Sequence, residues 1–169
     1  MKFSRIILVA STAMLALNAF AADIVGKYTG KVTMDMSSAR SAIQKQAAKL
    51  SGEQKKQVEA QLAMVDNVKK ATEAMTLKLE IVKGGVAKIS QTANGKSSTE
   101  SGKWTVSGNT VKLFGFSGKS GGPKEMSGVV KNNGKVLFFD MSAEVKKQTA
   151  KMSPQQAALA PKVSISFSR

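Results

Sequence analysis

Val163-Ser164-Ile165-Ser166-Phe167-Ser168-Arg169 ends the chain with a clean alternation of apolar and polar residues. A period of two is the mark of a β-strand with one buried and one wet face. The same period governs the first strand-forming segment, residues 24–36. There Lys27, Thr29, Lys31, Thr33 and Asp35 point one way, and Tyr28, Val32, Met34 and Met36 point the other. Gly26 and Gly30 fall on the apolar side, which predicts a bend or a close approach by another side chain. Left alone, the first and last strands would each be an exposed edge. Pairing them closes the sheet into a barrel, although a half-open sandwich fits the same pattern.

Between these two segments lie further strands joined by short turns. Residues 75–83 meet a Gly84-Gly85 turn and are followed by 86–93. Asn94-Gly95 is a hairpin signal, and 98–106 follows it. Ser107-Gly108-Asn109 leads into 110–116. The loop 117–124, rich in glycine and serine, precedes 126–131, and Asn132-Asn133-Gly134 turns into 136–141. Turns this short join antiparallel neighbours. With about eight strands, a small closed barrel is within reach. The fold class expected is mainly β, an eight-stranded antiparallel up-and-down barrel.

Two segments break the alternation. Residues 37–74 are rich in Ala, Gln and Lys and contain no proline. Ala39, Ile43, Ala47 and Leu50 recur at steps of three or four, as do Val58, Leu62, Val65 and Val68, so the segment reads as a helical hairpin inserted after the first strand. Ser51 and Gln54 match a capping box at the start of its second helix. A shorter helical stretch lies within 142–160, with Ser142 as a cap and Ser153-Pro154-Gln155-Gln156 as a second start.

Residues 1–21 have the build of a secretory signal. Lys2 and Arg5 precede an uncharged run from Ile6 to Leu17, and Ala19-Phe20-Ala21 offers small residues at a cleavage site. The expectation is therefore one domain, 22–169, in the periplasm or secreted. There is no cysteine, so neither a disulfide nor a lipid anchor on cysteine is expected. The formal net charge is +15. Such a field attracts polyanions and anionic membrane surfaces, and it also keeps a small protein dispersed.

The triplet Gly26-Lys27-Tyr28 in the first strand, together with Arg169 ending the last, resembles the lipocalin-like, or calycin, barrels. A second triplet, Gly102-Lys103-Trp104, opens the series Gly102, Trp104, Val106, Gly108, Asn109, Val111 and Leu113. That spacing is similar to one recurring in small exported bacterial lipocalin-like domains of unknown function. The resemblance implies an eight-stranded meander and, in its usual form, a cavity for a small ligand. Tyr in place of Trp in the first strand, and the helical insert, depart from the family's pattern.

The composition excludes much chemistry. Without histidine or cysteine there is no Ser-His-Asp triad, no Cys-His pair and no common zinc site. Glu53, Glu59, Asp66, Glu73 and Glu80 are not paired toward one cleft, so no enzyme, cofactor or metal is expected. Met34 and Met36 are a thioether pair that suits Cu(I), but methionines at alternate strand positions are commonly core filler. Tyr28, Trp104, Phe114, Phe116 and Phe139 are the candidate ligand-binding residues, with loop 117–124 as a lid beside Phe114 and Phe116. Arg40, Lys45, Lys49, Lys55 and Lys56 are the candidate polyanion-binding residues. The chain has basic residues but lacks the exposed aromatics that single-stranded nucleic acid requires. Two functions are open: a non-enzymatic binder of a small apolar or anionic amphipathic ligand, and an envelope protein whose basic helices meet a polyanion, membrane surface or protein partner.

Overall fold

The computed structural model describes residues 24–93, 95–118, 123–151 and 160–169. The expected signal, Asn94, the centre of the lid loop and the Ser153-Pro154 helix start lie outside the described residues. The order of elements is β1 (Gly26–Asp35), α1 (Ser37–Ala47), α2 (Gly52–Glu73), β2 (Thr76–Val82), β3 (Val86–Ala93), β4 (Lys96–Ser107), β5 (Thr110–Phe114), β6 (Glu125–Lys131), β7 (Val136–Asp140), α3 (Ser142–Ala150) and β8 (Lys162–Ser168). The strands follow one another in chain order around a closed antiparallel barrel. The expected meander, the helical hairpin after the first strand and the short helix before the last are all present, and the sandwich is not.

Internal packing divides the chain in two. One unit takes in the described residues up to Gly30, with Leu77–Phe139 and Ser166–Arg169; the other comprises Lys31–Thr76 and Asp140–Ile165. β1 and β8 run from one to the other.

In the first unit, register follows the hydrophobic pattern. Tyr28 opposes Leu79, and Gly30 opposes Leu77, across β1 and β2. Trp104 opposes Leu113, and Leu113 opposes Met126, across β4, β5 and β6. All but Gly30 in these pairs are large apolar residues, and all are buried. A one-residue slip would turn each apolar set to water, so burial fixes the register. β8 is tied to β7's lead-in by the Arg169 N–H, which donates to the Lys135 carbonyl at 3.2 Å.

In the second unit, α1 buries Ala39 and half-buries Ile43 and Ala47; Leu50, the last of the expected stripe, is half-buried just beyond the helix end. Arg40 Nη1 donates to Asp66 Oδ1 at 2.8 Å and pins α1 to α2. The expected capping box does not form. Ser51 has the extended backbone of an N-cap, but its side chain makes no capping bond. Ser142 is not a cap either: it is the first residue of α3, after Met141. Its N–H donates to Asp140 Oδ1 at 2.9 Å, and its Oγ accepts the Val163 N–H at 3.1 Å. The Ser37 N–H donates likewise to Asp35 Oδ1 at 2.9 Å. Asp-Met-Ser therefore starts two helices in the same way, at 35–37 and 140–142. The carboxylate two residues upstream, not the serine, takes the orphan N–H.

Candidate functional site

Within the first unit, the inward faces of the strands end in two different environments. Around Tyr28 and Trp104 the interior is dry. Tyr28 is buried, and its hydroxyl lies 2.7 Å from the Ile24 carbonyl and 2.8 Å from that of Gly134. The Arg169 guanidinium sits 5.5 Å from the centre of its ring and donates to the Val25 carbonyl at 3.0 Å. Burial raises the Tyr28 pKa, and the Arg169 charge pulls against that rise. The Trp104 indole N–H donates to the Val82 carbonyl at 2.9 Å. Both residues, chosen as candidate ligand contacts, have their polar atoms committed to holding this end together.

Three inward glycines continue the dry region, each pressed by a phenylalanine. A methyl group on Gly30 would sit 2.5 Å from the Phe167 ring, and one on Gly102 would sit 2.9 Å from Phe116. One on Gly128 would sit 2.6 Å from Phe139. Phe139 and Phe167 meet edge to face at 5.9 Å, a favourable arrangement of two rings. A side chain facing a water-sized void keeps accessible surface. Val111, Leu113, Leu137 and Phe139 have none, and Leu79, Ile81 and Phe167 keep 1% each. This part of the barrel is filled by its own side chains, as small eight-stranded barrels are.

Phe114 does not join this interior. It is half-buried and shares the face of exposed Lys103 and Glu125, its partners in register. Gly115 explains the difference. Its φ of +76° breaks the alternation after Phe114, so Phe116 turns inward instead. Phe138 is likewise off the core face, with Lys131 Nζ 4.4 Å from its ring centre.

Toward the β3–β4 turn the interior changes. Along β3, Ala87 is buried, whereas Ile89, Gln91 and Ala93 are half-exposed; along β4, Trp104 is buried, whereas Glu100 and Ser98 are half-exposed. Ile89 opposes Glu100, and Gln91 opposes Ser98. Glu100 Oε2 accepts the Ser117 hydroxyl at 2.8 Å and the Gly118 N–H at 2.9 Å, which ties the start of the 117–124 loop to β4. These residues are not among the aromatics expected from the sequence to line a ligand site. The signal was available: Ile89, Gln91 and Ala93 alternate with Lys88, Ser90 and Thr92.

Of the candidate polyanion contacts, Lys45 on α1, Lys49 in the turn after it, and Lys55 and Lys56 on α2 are exposed, while Arg40 is engaged with Asp66. Among the described residues no cluster of acidic side chains is placed to hold a metal ion, and no helix is long and apolar enough to cross a membrane.

The class defined so far is a closed up-and-down barrel, whose inward faces in the first unit are dry around Tyr28 and Trp104 and half-exposed toward the β3–β4 turn. No protein-family model matches the chain, and no curated protein matches it in sequence. Among solved structures it is similar to a REP1-NXSQ fatty acid transporter at 12% identity. A Tyr-to-Phe mutant of that transporter matches at 13% identity. Each match covers 88% of this chain, and 96% and 98% of the respective transporter chains, with a TM-score of 0.35. That superposition is too loose to carry any property of the transporter to this chain.

Proposed function

We propose that this chain is an exported, non-enzymatic binding protein of lipocalin-like build. It takes a small apolar or amphipathic ligand at the half-exposed inner faces of β3 and β4. The observation that carries this reading is the change along those strands from Ala87 and Trp104, sealed in the core, to Ile89, Gln91, Ala93, Ser98 and Glu100, all half-exposed. A mixed lining of apolar, amide, hydroxyl and carboxylate groups orients an amphipathic molecule by a few polar contacts. Export rests on the composition of residues 1–21. Native mass spectrometry of the protein purified from its source cells without refolding should show an added small-molecule mass. A clean apo mass, with no saturable displacement of a fluorescent fatty acid, would overturn the proposal.

A second reading rests on α2. Met64 is 69% exposed and Val68 49%, one turn apart on a helix that also carries Lys55, Lys56 and Lys70. Apolar and basic residues together suit an anionic lipid surface. Both side chains are already in water, so Met64→Glu with Val68→Glu should leave the thermal midpoint unchanged and remove salt-sensitive retention on phosphatidylglycerol vesicles. Equal retention by variant and wild type would rule this face out.

A further inference from the structure

The outer face of β1–β4 in the first unit holds an open groove of about 540 Å³. Its floor is the strand backbone at Tyr28 and Leu79, whose side chains turn inward. Three lysines, Lys27, Lys78 and Lys88, rise around it with a single carboxylate, Glu80. Glu80 reaches two of them, Lys27 at 4.0 Å and Lys88 at 3.7 Å. Both distances exceed that of a charge-assisted hydrogen bond. Lys78 has no carboxylate within ion-pair distance among the described residues. By contrast, Lys112 on the same barrel is closely matched by Glu125 at 2.8 Å. The groove is thus a place where positive charge is left in excess.

Its hydroxyls add a second kind of recognition. Ser90 Oγ and Thr99 Oγ1 lie 2.9 Å apart and bond to each other. One hydrogen serves that bond, and the other remains to be donated, alongside spare lone pairs. Thr29 stands beside Lys78 in the β1–β2 register. A bare anion would gain from the lysines and lose to Glu80. A sugar carrying an acidic group would not, because Glu80 can accept one of its hydroxyls while the lysines take its charge.

The geometry points to this groove as a binding site for an acidic saccharide, one bearing a phosphate or carboxylate. It is separate from the inner faces of β3 and β4 and independent of what they bind. No aromatic ring forms its walls, so binding is weak, fast and salt-sensitive.

Backbone amide NMR with glucose 1-phosphate, glucose and inorganic phosphate, each up to about 10 mM, tests it. Glucose 1-phosphate should give saturable shifts at residues 27–29, 78–80, 88–90 and 99, larger than those from either half-molecule. Lys78→Glu should weaken the binding by about tenfold, and Lys78→Gln by less. Inorganic phosphate giving the same shifts at the same concentrations would overturn the saccharide assignment. Shifts spread equally over the helix lysines, or none at the groove, would overturn the site itself.

Discussion

At the scale of the residue, the barrel interior depends on what three glycines lack. Gly30, Gly102 and Gly128 leave room for a phenylalanine ring apiece, and the clash a methyl group would meet differs in kind among them. At Gly30 the obstacles are side chains, Phe167 at 2.5 Å and the Leu77 Cβ at 2.7 Å. At Gly128 the Phe138 carbonyl oxygen, a backbone atom held in the sheet, lies 2.6 Å away. Gly30→Ala and Gly128→Ala should each lower stability by about 1–3 kcal/mol, the usual cost of overpacking a core. Phe167→Leu should recover part of the Gly30→Ala loss, read as favourable coupling in a double-mutant cycle by urea unfolding. Phe139→Leu should recover little of the Gly128→Ala loss, because the carbonyl stays. Half of this was legible in the sequence. Alternation alone puts Gly30 on the inner face and calls for a close neighbour. The identity of that neighbour was not, since it depends on how a strand some 140 residues away lies against it. Phe114 follows the period, on the outer face with Lys112, whereas Phe116 does not: one left-handed glycine, Gly115, resets the period between them, and a period of two cannot announce where it stops.

At the scale of the element, the two changes from strand to helix use one device. Asp35 and Asp140 each accept the N–H of a serine two residues on, and both carboxyls are held below the usual carboxylate range. For Asp35 the backbone bond from Ser37 is the main cause. For Asp140 the side-chain bond with Ser142 leads, followed by the backbone bond. Lys162 at the start of β8 adds its charge to both. A lowered folded pKa means a contribution fully present above the unfolded value, about 3.9, and lost as pH falls through the lower folded value. Asp35→Asn with Asp140→Asn should therefore lower the thermal midpoint slightly at about pH 7, with the gap closing as pH falls below the ordinary carboxylate range. A gap that persists unchanged in acid would show that the carboxylate charge contributes nothing. Both groups are exposed, so the effect is small. The hairpin and the short helix were readable from composition and period. Their caps were not, because Ser51 and Ser142 satisfy the sequence pattern while a carboxylate two residues back takes the Ser142 N–H and the Ser51 side chain takes none.

At the scale of the whole molecule, the barrel is one closed sheet, and within its first unit a pair of alanines on β3 marks two environments of the inward face. Ala87 keeps no accessible surface, and Ala93, three inward positions along, is half-exposed. The same substitution should have opposite consequences at the two sites. Ala87→Phe forces a ring into packed space and should cost about 1–3 kcal/mol or more in urea unfolding. Ala93→Phe has solvent to expand into and should leave the unfolding midpoint nearly unchanged. It should, however, occupy the volume proposed for ligand and weaken displacement of a fluorescent fatty acid by about tenfold or more. Stability and binding are then read on the same two proteins, so the result separates a damaged fold from a filled site. Affinity that survives Ala93→Phe would place the ligand elsewhere. An Ala87→Phe protein as stable as wild type would mean that the dry end holds a void, and that the barrel has capacity where its side chains now leave none.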